Sequence, residues 1–429
     1  MTRHRIGAGL ALAGALTLTG CAASDGDPTP PTGGKVEITF VGTDPAEDLA
    51  PLLEAFMAER EDIAVNYENI PFDQYDNVIQ QRVGGGDAGI DVLLVDAGAA
   101  AAYASRGLIV DLTDDLAEAQ ASSIPAAVEQ SWWQDKLWAL PFWTSATYLF
   151  TNKDLVEAAG LEPPTAAGER WTWEEVVDAA GRAQAAGAEY GLLFEQVDLY
   201  YQMQPLVESA GGGSGAKGAD LLTADLANPG WIEALEWYGQ LFADGVSPRG
   251  VDANQTANLF AAGQAAFFIG GPWAIYTLTE PERPIDYTVA ANPYFKGGSP
   301  AMATGSWSIA VSSSSDAAEA AHAFVRFASL TTPGNAASVA RIIIPPTNQA
   351  AFDDFIARID QADAPHTAGM GELTLSELRQ AAVNRPNTVG FTQLTDVVGR
   401  ASSDIRNGSA VEPTLRRAQA ELQSLWDRL

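Results

Sequence analysis

From Val36 the chain alternates, with Val36, Ile38 and Phe40 apolar and Glu37 and Thr39 polar, the period-two signature of a half-buried strand. Leu49, Leu52, Leu53, Phe56 and Met57 then recur at intervals that place them on one face of a helix. Ile63, Val65 and Tyr67 alternate again, Phe72 to Val83 predicts a second helix, and Gly84-Gly85-Gly86 ends it. Asp91-Val92-Leu93-Leu94-Val95-Asp96 is a continuous apolar run between acids, the pattern of a buried strand. Strand, helix, strand, helix, strand over about 60 residues predicts an α/β domain with a largely parallel sheet. Ligands of such sheets sit at the carboxyl ends of the strands. Here those ends are the loops Gly42-Thr43-Asp44 and Asp96-Ala97-Gly98.

A second α/β region is expected from about Ala146 to Pro300. Leu137 to Tyr148 reads as a strand leading into it. Thr172-Trp173-Glu174-Glu175 has capping-box spacing and opens a helix, so Trp171 and Trp173 read as packing residues rather than ligands. Gly211-Gly212-Gly213-Ser214-Gly215 is a loop without the Lys-Ser/Thr that a phosphate loop needs. Ser306 to Val311 is a strand, Asp316 to Leu330 an alanine-rich helix, and Pro413 to Leu429 places Leu415, Ala418, Leu422, Leu425 and Leu429 on one helical face. No internal sequence repeat is visible.

The first 20 residues follow another pattern. Arg3 and Arg5 precede an apolar stretch from Ile6 to Leu18 and then small residues, which makes a secretory signal peptide. The stretch falls short of the roughly 20 apolar residues that span a bilayer. The only cysteine follows at once in Leu18-Thr19-Gly20-Cys21, which resembles the lipobox of bacterial lipoproteins. That resemblance implies a Cys21 diacylated on sulfur as the mature N-terminus, with the protein held by lipid alone on the outer face of the cell membrane. Residues 22–34 are proline, glycine and small polar residues that form no core, a tether reaching roughly 40 Å.

A chain of 429 residues exceeds the size at which one core stops growing, so two domains are expected. With 47% hydrophobic and 18% charged residues it is an ordinary globular protein. The formal net charge is −31, and −33 without the two leader arginines. That acidity rules against nucleic acid as a partner. A single cysteine leaves no disulfide framework. The three histidines, at 4, 322 and 366, have no metal-ligand spacing, and there is no Gly-x-Ser-x-Gly elbow or Ser-His-Asp arrangement. No catalytic residue, metal or cofactor is therefore expected.

Eleven tryptophans set the candidate chemistry. Trp231, Trp237 and Trp426 lie on helical stretches and read as core. Trp273 sits where Phe268-Ile269-Gly270-Gly271-Pro272-Trp273 ends a strand in a tight turn, and Gly305-Ser306-Trp307 presents Trp307 from the other direction, so both read as ligand-facing. Leu140-Pro141-Phe142-Trp143-Thr144-Ser145 adds an aromatic and a hydroxyl pair. Aromatic faces beside acids and amides suit sugars, because the C–H face stacks and the hydroxyls need planar polar partners.

Four stretches, in order over nearly 400 residues, resemble the extracellular solute-binding proteins of ABC importers that take maltose, trehalose and other oligosaccharides. They are Gly89 to Asp96 with Tyr103 to Ile109; Leu137 to Pro141 with Leu149 to Leu155 and Trp171 to Glu175; Leu259 to Phe267 running into Gly270 and Trp273; and Gly305 to Trp307 with Glu319 to Phe324. The resemblance implies a two-lobed α/β Venus-flytrap fold in which a solute is enclosed between lobes and handed to the transmembrane subunits of an ABC permease. It places residues 35–144 and 308–345 in one lobe and 145–307 and 346–429 in the other, with crossings near Thr144, Ser308 and Pro345-Pro346, in a monomer. It also implies ligand roles for Asp96, Trp143, Trp273, Ser306, Trp307 and the arginine of Arg385-Pro386. Ser145 falls where the trehalose branch commonly has an aspartate, a departure that removes a strong acceptor. Asp44, Arg82 and Glu195 are further candidates on loop placement alone. Two other readings stay open: the same fold with a polyamine or polyol as cargo, and a secreted carbohydrate-active enzyme, which would need two carboxylates flanking a glycosidic bond.

Overall fold

The alternation at the start of the body becomes parallel strands in register. Val36 lies opposite Ile63 and Gly42 opposite Asn69, with Ile38 and Phe40 buried. The computed structural model describes residues 34–280 and 284–429. The leader and Cys21 lie outside them. The main strands are β1 (Val36–Gly42), β2 (Ile63–Asn69), β3 (Val92–Asp96), β4 (Leu140–Pro141), β5 (Tyr148–Asn152), β6 (Tyr190–Phe194), β7 (Ala265–Gly270), β8 (Tyr287–Ala291) and β9 (Trp307–Val311). They form a five-stranded sheet ordered β2-β1-β3-β9-β4 and a four-stranded sheet ordered β8-β5-β7-β6.

The first sheet is parallel across β2, β1 and β3, as the strand–helix alternation requires, but β9 pairs antiparallel with β3 and β4 in turn pairs antiparallel with β9. Both of those strands come from later in the chain, as it leaves this sheet or returns to it. On one face, α1 (Ala46–Glu59) buries Leu49, Leu52, Leu53 and Phe56. Phe56 meets Phe324 edge-on at 5.0 Å, and Phe324 lies 5.5 Å from Phe40, so helix Ala318–Leu330 is locked to α1 and the sheet by aromatic contacts. On α2 (Phe72–Gly84) the buried Tyr75 hydroxyl donates to the Val41 and Leu94 carbonyls and accepts from the Leu94 N–H at 2.7 Å. One phenol thus ties the first turn of α2 to the carboxyl ends of β1 and β3.

In the second sheet β6 and β7 are parallel while β5 and β8 pair antiparallel. The capping box at Thr172 is present, with the Thr172 N–H donating to Glu175 Oε2 at 2.7 Å and the Glu175 N–H to the Thr172 hydroxyl at 3.3 Å. It directs Trp173 into a buried cluster, 5.0 Å from Trp237 and 6.1 Å from Phe194. Trp231 and Trp426 are likewise buried. Among the described residues no helix is long and apolar enough to cross a membrane.

The strand expected from Leu137 to Tyr148 is broken. It begins as short pairings at Lys136–Leu137 and Leu140–Pro141 and resumes only at Tyr148. Between them the chain crosses from one sheet to the other, and its polar groups are satisfied by other crossing segments. The Phe142 and Trp143 N–H groups both donate to the Trp307 carbonyl, at 3.1 and 2.8 Å, and the Thr144 N–H donates to the Pro345 carbonyl at 2.8 Å. The Thr304 hydroxyl donates to the Ser145 carbonyl at 2.8 Å.

Helix Met370–Gln380 is held to the second sheet by an ion pair between Arg170 and Glu377, whose side chain is 0% exposed. Arg170 also donates to the Asn292 carbonyl at 2.6 Å. Burial pushes the Glu377 carboxyl up even though the guanidinium pulls it down. Removing one member of such a pair strands the other charge. Glu377→Ala is expected to lower stability by about 3–5 kcal/mol, read as a shift of the urea unfolding midpoint at constant slope.

Candidate functional site

The site begins where β3 ends. Asp96 is paired in register with Trp307, the first residue of β9, so the two side chains leave the same face of the sheet. Trp307 is half-buried and packs edge-on against Tyr75 at 5.5 Å and Phe72 at 6.2 Å. Phe72, at the start of α2, is 52% exposed. One turn later on α2, Asp76 accepts from the Tyr103 hydroxyl at 2.8 Å. Solvent reaches Asp76, yet its surroundings are dense enough that desolvation, with the nearby Asp96 and Asp396 carboxylates, pushes it up to about 6 against the pull of Tyr103 and Arg385.

Asp44, after β1, is raised to about 6 by desolvation and by Asp48, partly offset by the Thr43 hydroxyl. Its backbone carbonyl accepts from the Tyr67 hydroxyl and from Asn69, both at 2.7 Å, which fixes the loop.

The second sheet contributes from the carboxyl ends of its parallel pair. Glu195 follows β6 and accepts from the Gly271 N–H at 2.9 Å. Burial raises it to about 7, while the Gly271 N–H and the Trp273 side chain pull it back. Trp273 is half-buried and lies over Gly271, where a Cβ would be 2.2 Å from the ring. A side chain at 271 would displace the indole, which explains the glycine in that turn.

Arg385 and Tyr201 join the two halves. Arg385 is 7% exposed, its Nε stands 3.2 Å from Asp96 Oδ1, and its Nη2 donates to the Gly305 and Ser306 carbonyls at 2.6 and 3.2 Å. The Nε contact with Asp96 has the distance of an ion pair but not the alignment of a hydrogen bond. The guanidinium also sits 5.1 Å from the centre of the Tyr201 ring, a cation–π contact. The Tyr201 hydroxyl donates to Ser145 Oγ at 2.9 Å, which donates to the Gly305 carbonyl at 3.0 Å. Tyr201 is itself raised to about 12, chiefly by burial, and feels both Glu195 and Asp96.

Asp44, Asp96, Glu195, Trp273, Trp307 and Arg385 thus lie at the strand ends or bridge them. Four expected residues are placed otherwise. Trp143 is 2% exposed, stacked on Phe142 at 4.4 Å with its N–H on Ser338, and has no face to offer a solute. Ser145 is fully buried with its hydroxyl committed on both sides. Ser306 takes part through its carbonyl, which accepts from Arg385 and from the Ala97 N–H. Arg82, at the far end of α2, is paired with Glu68 and Asp87 at 2.6 and 2.7 Å. Phe72, Asp76 and Tyr201 were not singled out in the sequence. For Phe72 and Asp76 the signal was available, since a helix that follows a strand aims its first turn at the strand's carboxyl end. Among the described residues no group of three or more His, Cys, Asp or Glu side chains is placed to hold a metal ion.

Residues 41–335, more than half of the chain, match the family described as bacterial extracellular solute-binding protein. The chain belongs to this family. The putative binding proteins of Brucella abortus and Brucella suis are 26% identical over 253 residues, so the chain spans 56% of its own length and 58% of theirs. The galactooligosaccharide-binding protein of Bacillus subtilis is 27% identical over 222 residues, 49% of each chain. An ABC substrate-binding protein from Listeria monocytogenes, solved in complex with cycloalternan, superposes with a TM-score of 0.79 over 92% of this chain and 99% of that one, at 22% identity. The two-lobed α/β binding-protein fold is therefore the fold of this chain. Family and fold are those of binding proteins and not of enzymes.

The strand-end cluster carries a pH signature. Asp44, Asp76 and Glu195 hold protons in the folded state up to about 6, 6 and 7, whereas in the unfolded chain they release them near their ordinary values of 3.8 and 4.5. Between those limits the folded state binds more protons, so stability falls as pH rises. The melting temperature is expected to decline from pH 4.5 to 7 through these groups, and Glu195→Gln to flatten the decline. An unchanged slope in a pH series of thermal melts would remove Glu195 from the account.

Proposed function

We propose that the chain is a lipid-anchored subunit of an ABC importer that captures a sugar or oligosaccharide between its lobes and delivers it to the permease. The observation that carries this reading is the composition of the strand ends. Partly exposed aromatic rings (Phe72, Trp273 and Trp307) stand at the strand ends with the carboxyl groups of Asp44, Asp76, Asp96 and Glu195, and Asp96 is paired with Arg385. Aromatic faces take the C–H faces of a sugar, and ionised carboxylates accept from its hydroxyls. A carboxyl that keeps its proton near neutrality donates as well, which suits groups that both give and accept hydrogen bonds. The cargo named for the Bacillus relative is a galactooligosaccharide, and the Listeria structure holds cycloalternan; both support the same class.

In this reading no covalent bond is made or broken. The lobes, residues 35–144 with 308–345 and residues 145–307 with 346–429, close about the crossing segments, and the permease distinguishes closed from open. Cys21 carries the lipid, and residues 22–34 give the body its reach as a monomer on the outer face of the membrane. Carboxylates outnumber Arg385 in the cleft, so a polyamine is the alternative to test. A phosphorylated polyol would lack the basic partners it needs.

The test is a thermal-shift screen of the protein against oligosaccharides, monosaccharides, polyols and polyamines. A ligand at 100 times its Kd adds about 2.7 kcal/mol and raises the melting temperature by degrees. A shift with sugars is expected; a shift with polyamines alone overturns the sugar, and release of product from an oligosaccharide overturns binding without chemistry. Trp273→Ala is expected to weaken capture by about 1–3 kcal/mol through lost apolar contact while the fold is kept, measured by calorimetric titration. Cys21→Ala is expected to move the protein from the membrane fraction to the medium, and retention in that fraction would remove the lipid anchor.

A further inference from the structure

The segment Asn384–Phe391 belongs to the second lobe by its neighbours. It follows the short strand Ala382–Val383, paired in parallel with Met302–Ala303, and leads into helix Phe391–Arg406, which packs on Pro229–Ala243 and Val411–Trp426. Its side chains nevertheless reach the first lobe at four points. Asn384 Oδ1 accepts from Gln130 Nε2 at 2.7 Å, and Arg385 stands against Asp96. Asn387 Oδ1 accepts from the Ala101 N–H and its Nδ2 donates to the Trp132 carbonyl, both at 3.0 Å. The Phe391 ring lies on Gly98, where a Cβ would come within 2.4 Å of it.

The Asn387 contact is the most telling. Helix Ala100–Ser105 begins after Ala99, which has no side-chain oxygen to cap it, and makes no cap bond of its own. The missing acceptor comes from the opposite lobe. Both polar atoms of the Asn387 amide are thereby spent on the first lobe, so it contributes to closure and not to cargo. Closure also has an opponent: Asp76 of the first lobe lies close enough to Asp396 of the second for that carboxylate to help raise it, and repulsion between the two favours separation.

We propose that Asn384–Phe391 is an interlobe clasp that holds the lobes together before cargo arrives, with Asn387 and Phe391 as positioning residues that set affinity without touching the cargo. The inference rests on the reading that the lobes move to capture a solute. A cleft lined by carboxylates closes on a neutral ligand only if something offsets their repulsion, and the clasp supplies contacts that exist only when the lobes meet. Weakening it raises the open population, and apparent affinity falls in proportion to the closed fraction that is lost.

The experiment is pulsed EPR distance measurement between spin labels on the exposed Glu54 and Glu236 positions, one on each lobe, in the full chain with Cys21→Ser. It is run without ligand and then with each sugar of the screen. In the unliganded protein Asn387→Ala is expected to shift the closed-to-open ratio about tenfold toward open. Asn387→Asp, which keeps the acceptor for Ala101, falls between it and the parent. Gly98→Ala, which displaces Phe391 without altering any hydrogen-bonding side chain, shifts the ratio in the same direction. Unchanged distance distributions in all three variants, in a parent that closes on a sugar, overturn the clasp alone. A parent that keeps one distance with and without every sugar overturns capture by closure, and the clasp with it.

Discussion

The structure depends on how the chain satisfies its own backbone where it passes between the lobes. A segment that leaves one sheet for another loses its ladder partners, and an unpaired buried N–H or C=O carries a cost comparable to a lost hydrogen bond. Here the crossing segments serve one another. The Trp307 carbonyl accepts from both Phe142 and Trp143, and the Pro345 carbonyl accepts from Thr144. The Gly305 carbonyl gathers Ser145 and Arg385. The crossing is therefore also the floor of the cleft. Arg385 reaches Asp96 only because it is braced on those hinge carbonyls and on the Tyr201 ring.

Burial governs the electrostatics above the crossing. Desolvation holds Asp44, Asp76 and Glu195 above their ordinary values, with Asp48 adding to the rise at Asp44 and Asp96 and Asp396 adding to it at Asp76. A protonated acid beside an ionised one is a donor beside an acceptor. Such a surface matches a polyhydroxyl solute better than a row of uniform charges would. The aromatic rings do the complementary work: Trp273 follows a strand of the second sheet, Trp307 opens β9 of the first, and both remain partly exposed, which a tryptophan serving only the core would not be.

How much of this was legible in the sequence follows from what kind of interaction fixes each part. Local patterns translated well. The alternation at Val36–Phe40, the helical face of Leu49 to Phe56 and the capping box at Thr172 depend on neighbours close in sequence, and the structure holds them as read. The general rule for α/β sheets put Asp44 and Asp96 at the carboxyl ends of strands, and the structure has them there, whereas Glu195, chosen on loop placement alone, follows β6. What failed to show was set by contacts over long separations. Trp143 was given a ligand role by the family resemblance, but Ser338, nearly 200 positions later, takes its N–H and Phe142 takes its face. Tyr201 carried no local sign of its role, because its importance comes from Arg385 and Ser145 arriving from distant segments. Arg82 looked available, and two acids on its own surface had already claimed it.

The main-chain character of the crossing bonds has a bearing on how such a protein changes its diet. Bonds made by the carbonyls of Trp307 and Pro345 do not depend on which side chains those residues carry, so side chains at the strand ends can be exchanged while the crossing keeps its bonds. Gly98 is the counterexample, a position where even a Cβ would displace the Phe391 ring. A change of side chain at Phe72, Asp76 or Trp273 thus leaves the crossing bonds in place, whereas one at Gly98 moves a neighbouring ring, and the same asymmetry tells an engineer where a reporter group is safely written into the molecule.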